Sequence, residues 1–130
     1  MIMNNDFLYV EKYRPQTVED CVLPINIKKV FLSLRDKGEI INLLLSGGPG
    51  TGKTTVARAL CTELGIDYII INGSESRGID MVRQQVGSFA STMSTNGKVK
   101  VVILDEADYI TPEAQAALRN LIESFSSSCR

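Results

Sequence analysis

An α/β domain built on a parallel sheet is the fold class the sequence predicts, and three observations predict it. The runs "INLLLS" (41–46), "YIIIN" (68–72) and "KVVILD" (100–105) are continuously apolar, the pattern of parallel strands buried on both faces. Helix-forming stretches separate them. The glycine-rich "GGPGTGKTT" (47–55) stands between the first run and the next helical stretch, where such a turn can cradle phosphate.

The elements follow in order. Residues 1–24 are mixed in character and punctuated by Pro15 and Pro24, so a largely extended segment is expected. "INIKKVFLSLRDKGE" (25–39) has helical spacing at Ile27, Val30, Phe31 and Leu34, with Gly38 as its stop. The strand 41–46 leads into a helix over 52–64, the strand 68–72 into a helix over 78–93. The strand 100–105 precedes a helix over 111–125, where Thr111 is the N-cap, Pro112 takes the first helical position and Glu113 the first turn. Strands alternating with helices imply a parallel sheet.

Composition closes off several function classes. A length of 130 residues fits one domain able to bury a core without staples. No apolar run approaches the roughly 18 residues of a membrane helix, and Asp6, Glu11, Lys12 and Arg14 near the start are unlike a secretion signal. A cytoplasmic protein is expected, with no membrane partner. Cys21, Cys61 and Cys129 are odd in number and far apart, which argues against a zinc ribbon or redox pair. The absence of histidine removes Ser-His triads and H-E-x-x-H zinc sites. Fourteen basic against fifteen acidic residues give a net charge of −1. A basic footprint over the whole domain is therefore absent, although a local patch needs only a few Lys or Arg.

Gly47, Gly52, Lys53 and Thr54 fit G-x-x-x-x-G-K-[ST] without a gap. The glycines let successive backbone N–H groups face phosphate oxygens, and the following helix adds the positive end of its dipole. Lys53 should reach the β- and γ-phosphates of ATP, and the Thr54 hydroxyl should bind Mg²⁺. Gly48, Pro49, Gly50 and Thr51 within the loop, and Thr55 after it, complete the expected nucleotide-binding set.

"VVILDEAD" (101–108) supplies a second half. An acidic pair at the C-terminal end of an apolar strand lies where open α/β sheets bind ligands. Asp105 would hold Mg²⁺ mostly through its water shell, and Glu106 would polarise the water that attacks the γ-phosphate. A solvated acidic turn is the other reading of the pair taken alone.

The strand carrying Asp-Glu, together with the phosphate loop, resembles the AAA+ class of P-loop ATPases, a three-layer sandwich with a parallel sheet. "DEAD" also resembles the helicases named for it, but their nucleotide loop runs differently and nothing here resembles their upstream glutamine motif. "VEKYRPQTVEDCVLP" (10–24) resembles the N-terminal signature of clamp-loader ATPase subunits, and "INGSESRGIDMVR" (71–83) the signature after their second strand. "DCVLP" and "SFSSSC" look more like the large-subunit branch found in T-even-type bacteriophages, which would place the protein in the host cytoplasm.

The resemblance implies roles at matching residues. Val10, Glu11, Lys12, Tyr13 and Arg14 with Val22 would wrap the adenine; core packing is the alternative for Tyr13 and Val22. Asn72 would restrain Glu106 until DNA arrives, or simply end its strand in a turn. Arg77 and Arg83 would touch the DNA backbone, or belong to a solvated helix face. Gln115 and Arg119, one helical turn apart, would lie at a subunit boundary or merely face water. The implied partners are a sliding clamp, other loader subunits in a pentameric hetero-oligomer, and primer–template DNA. Two rivals remain: another AAA+ ATPase, such as a Holliday-junction motor or an initiator, and a nucleotide-binding scaffold without turnover.

In the AAA+ sheet, the strand after the Asp-Glu strand inserts between it and the phosphate-loop strand. The resemblance therefore implies that 41–46 and 100–105 are not neighbours and that the inserting strand begins just after residue 130. It also implies that the chain is the N-terminal part of the ATPase domain, with 1–24 on the adenine side and 41–125 as the P-loop core. Lid and collar would be absent, so the polypeptide alone would bind ATP weakly and not hydrolyse it appreciably. "SSCR" (127–130) superficially resembles the family's Ser-Arg-Cys motif, but its order and position are wrong, so Arg130 is not expected to act as an arginine finger.

Overall fold

The computed structural model describes residues 15–48 and 52–130. They fall into two compact units. One, the loop unit, contains 15–39 and 44–64; the other, the sheet unit, contains 40–43 and 65–130.

In the loop unit, helix α1 spans Ile25–Lys37 and α2 spans Lys53–Leu64. Helix α1 ends where expected, at Gly38. Its φ of 69° is left-handed, and its N–H reaches Arg35 O while Glu39 N–H reaches Leu34 O, the Schellman arrangement that closes a helix. The buried face is narrower than the spacing predicted. Phe31 and Leu34 are buried, but Ile27 and Val30 are exposed, because the first two turns of α1 have little within this unit to cover them. Helix α2 buries Val56, Ala59, Leu60 and Cys61. Residues 17–21 form a turn closed by Cys21 N–H on Val18 O at 3.1 Å, not the extended chain expected there.

The sheet unit holds β1 (Tyr68–Asn72), α3 (Ile79–Ser91), β2 (Val101–Asp105), a 3-10 turn (Ala107–Tyr109) and α4 (Pro112–Ser124). Strands β1 and β2 pair in parallel, with Tyr68 opposite Val101 and Asn72 opposite Asp105. Ile71 joins Val82, Val86, Ile110, Ala114 and Leu118 in the core, so both helices cover one face of the pair. Burial on both faces is not met within this unit, where Ile70 on the opposite face is exposed. Thr111 caps α4 as read, its hydroxyl accepting Ala114 N–H at 3.3 Å with Pro112 following. Lys100 is 4% exposed. Its ammonium donates to Phe89 O at 2.6 Å and to Thr92 Oγ1 and lies 4.5 Å from the Phe89 ring centroid. A cation is thus held at the negative end of α3.

The strand expected over 41–46 does not form. A continuous apolar run becomes a strand only when a ladder partner takes its amides and carbonyls, and among the described residues none runs beside it. Leu44 is 92% exposed. The second edge of β2 is instead taken by the chain end. Lys100 N–H donates to Ser128 O and Arg130 N–H to Lys100 O, both at 2.9 Å, and Val102 N–H reaches Arg130 O. Alternate residues of a strand address opposite edges, so this parallel pairing lies on the side away from β1. The inserting segment thus begins at residue 128, not beyond 130. Arg130 Nε donates to Ile40 O at 3.1 Å.

Candidate functional site

The loop unit carries the phosphate loop. Val10, Glu11, Lys12, Tyr13, Arg14, Pro49, Gly50 and Thr51 lie outside the described residues. Gly52 has a φ of 85°, a conformation that favours glycine, and its carbonyl accepts Val56 N–H at 3.0 Å to start α2. Lys53, Thr54 and Thr55 form the first turn, whose N–H groups make a ready anion site. The Lys53 ammonium rests on the carbonyls of Gly47 and Gly48, at 2.5 and 3.1 Å. It is thereby held beside the first two glycines of the loop. Val22 is 93% exposed, so core packing does not account for it. Its carbonyl lies 3.9 Å from where a Cβ on Gly52 would stand, and Leu23 Cδ2 lies 3.6 Å from the same point.

The sheet unit carries the acidic pair. Asn72 and Asp105 end the two paired strands opposite each other. Asp105 Oδ1 accepts Glu106 N–H at 3.0 Å, and Asp105 O accepts Gly73 N–H at 2.7 Å. Glu106 has φ 51° and ψ 46°, the one described non-glycine residue with positive φ. This kink ends β2, and Glu106 O accepts Tyr109 N–H at 3.1 Å to open the 3-10 turn. Glu106 is exposed. Asn72 Oδ1 accepts Ser74 N–H at 2.9 Å and Ser74 Oγ–H at 2.6 Å, so in this conformation the amide oxygen serves its own turn.

Within the 71–83 stretch the sequence singles out no role for Gly73, yet it backs the Glu106 kink. A Cβ there would overlap the Glu106 carbonyl oxygen and stand 3.2 Å from Ile110 Cγ1. Gly73→Val is therefore expected to destabilise the chain by roughly 1–3 kcal/mol, the usual range for overpacking. Thermal unfolding followed by circular dichroism measures this. An unchanged melting temperature would mean the two strand ends part freely.

Arg77 and Arg83 are exposed on either side of the α3 N-terminus. Arg77 O accepts both Thr111 N–H and Thr111 Oγ1–H, at 3.2 and 3.1 Å. Gln115 and Arg119 are exposed on α4, with Gln115 Nε2 donating to Ile110 O at 3.1 Å. Arg130 turns inward on Ile40, Ser126 and Cys129 carbonyls. Burial raises all three thiol pKa values, Cys61 to about 11, which disfavours thiolate chemistry.

Among the described residues no three His, Cys, Asp or Glu gather to hold a metal by themselves. The Thr54 hydroxyl in the loop unit and the Asp105 carboxylate in the sheet unit are each hard oxygen donors, the donor type Mg²⁺ prefers. The glycine cradle, its lysine and the helix start suit a nucleotide triphosphate. No helix among the described residues is long and apolar enough to cross a membrane.

Residues 43–130 match the model of the ATPase family associated with various cellular activities (AAA). The chain is 42% identical to the sliding-clamp-loader large subunit of Enterobacteria phage T4, over 98% of its own length and 40% of that relative's. It is 41% identical to the same-named subunit of Escherichia phage RB69, with equal coverage. Identity to the replication factor C small subunit of Archaeoglobus fulgidus is 42%, over 98% of this chain and 42% of the relative. The chain thus spans about two fifths of the length of the curated relatives it matches.

Proposed function

Because the chain belongs to the AAA family of ATPases, we propose that it binds and hydrolyses ATP as part of a sliding-clamp loader, which opens a clamp and loads it on primer–template DNA. The observation that carries the chemistry is Lys53 held on two loop carbonyls at the head of α2. Lys53 and the first-turn amides hold the triphosphate, with Gly47 through Thr55 forming its cradle. Val10, Glu11, Lys12, Tyr13, Arg14 and Val22 enclose the adenine. Thr54 and Asp105 hold Mg²⁺, which neutralises charge on the phosphates when bound. Glu106 takes the proton of the attacking water. Asn72 restrains Glu106, Arg77 and Arg83 meet the DNA backbone, and Gln115 and Arg119 face a neighbouring subunit of a pentameric hetero-oligomer in the cytoplasm. The relatives' printed names support the clamp-loading reading over a Holliday-junction motor or an initiator.

The test is ATP hydrolysis in an assembly reconstituted with loader subunits, with and without clamp and primer–template DNA. Stimulation by both is expected. Stimulation by neither would favour another AAA remodeller, and binding without turnover a scaffold. Arg77→Ala with Arg83→Ala should leave basal hydrolysis intact and weaken the DNA response. The log–log salt slope should flatten by about one unit for each DNA phosphate that is no longer neutralised. An unchanged slope returns both arginines to a solvated surface.

A further inference from the structure

Glu63 stands in α2 near its C-terminal end, and its Oε2 accepts the backbone N–H of Val18 at 2.9 Å. Lys53 opens the same helix ten residues earlier, about 15 Å away at 1.5 Å per residue. Val18 is fully buried near the start of a short strap, 17–23, whose other end lies against Gly52 of the phosphate loop. There, Leu23 Cδ2 and Val22 O approach the point a Cβ on Gly52 would occupy, at 3.6 and 3.9 Å.

The strap has further ties within the loop unit. Lys28 Nζ donates to Glu19 O at 2.5 Å, and Arg35 pairs with the Glu19 carboxylate at 3.5 Å. Asp20 N–H reaches Thr17 Oγ1 at 3.2 Å. Glu63 alone of these comes from the helix that also carries the loop lysine. At the loop end the strap offers an exposed aliphatic side chain, Val22, and its own carbonyl. Those are the two kinds of group that take the face and the amino edge of a purine.

We propose that Glu63 is a positioning residue for base recognition, its carboxylate tethering the Val18 amide so that the strap stands at a fixed offset from the phosphate loop. The proposal rests on the nucleotide-binding reading and deepens it. Phosphate affinity depends on the loop and the start of α2, whereas base affinity depends on where the strap sits. Releasing the tether therefore loosens one and spares the other.

The experiment titrates the chain with Mg-ATP and separately with Mg-tripolyphosphate, by NMR shifts that read millimolar affinities. Glu63→Ala removes a charged acceptor, so a roughly tenfold loss of ATP affinity is expected, with tripolyphosphate binding held within about twofold. Glu63→Gln keeps an acceptor oxygen and is expected to restore ATP binding. Glu63→Asp keeps the charge but not the reach, and should show the same base-selective loss in smaller degree even if the alanine variant folds poorly. Equal losses for both ligands, or none for either, overturn the role. A wild-type chain that binds neither ligand overturns the nucleotide reading itself.

Discussion

In the reconstituted assembly, Lys53→Ala is expected to lower affinity for Mg-ATP by on the order of 100-fold, because a triphosphate that loses its charged hydrogen-bond partner forfeits the strongest contact the loop offers. The Lys53 ammonium is already gathered over the loop by Gly47 and Gly48, so little side-chain ordering is needed when an anion takes over those bonds. Helix α2 should survive, since Lys53 is half-exposed and the helix is anchored by Val56, Ala59 and Leu60. Titration calorimetry with ATP and Mg²⁺ measures the loss, and circular dichroism checks the helix. Binding at the wild-type level would mean that the triphosphate is held by other groups.

Glu106→Gln separates binding from chemistry. The amide keeps nearly the same shape, and the hydrogen bond from Glu106 N–H to Asp105 Oδ1 at 3.0 Å does not depend on the side chain of residue 106. ATP binding should therefore be preserved. Turnover in the reconstituted assembly should fall by a factor of about 10²–10⁴, the range for losing a general base. Single-turnover and steady-state hydrolysis measure it, and an unaltered rate would assign the base to another residue.

Much of the architecture was legible because its signals are local. Gly38 stops α1, and Thr111-Pro112 starts α4, through rules that involve only a few neighbouring residues. The runs 68–72 and 101–105 became strands because each found the other. The equally apolar 41–46 did not, since strand formation belongs to a pair rather than to a run. The same distinction governs the site. The loop glycines and the Asp-Glu pair are contiguous motifs, whereas Gly73 matters through Glu106, 33 positions on, and Glu63 through Val18, 45 positions back. No pattern of spacing announces such contacts. Lys100 reads as an ordinary basic residue at a strand start until the fold brings the end of α3 over it.

The kink at Glu106 sets backbone preference against chemistry. A left-handed conformation burdens a residue with a Cβ by roughly 1–2 kcal/mol relative to glycine, and φ 51° at Glu106 carries that burden next to the triphosphate chemistry proposed for it. Anyone engineering this chain for heat resistance by matching residues to dihedral angles would select glycine or asparagine at 106, and would discard the carboxylate with the strain. With the role proposed for Glu106, thermostability and turnover trade against each other at position 106, and stabilising changes belong on parts of the chain whose conformation that role does not use.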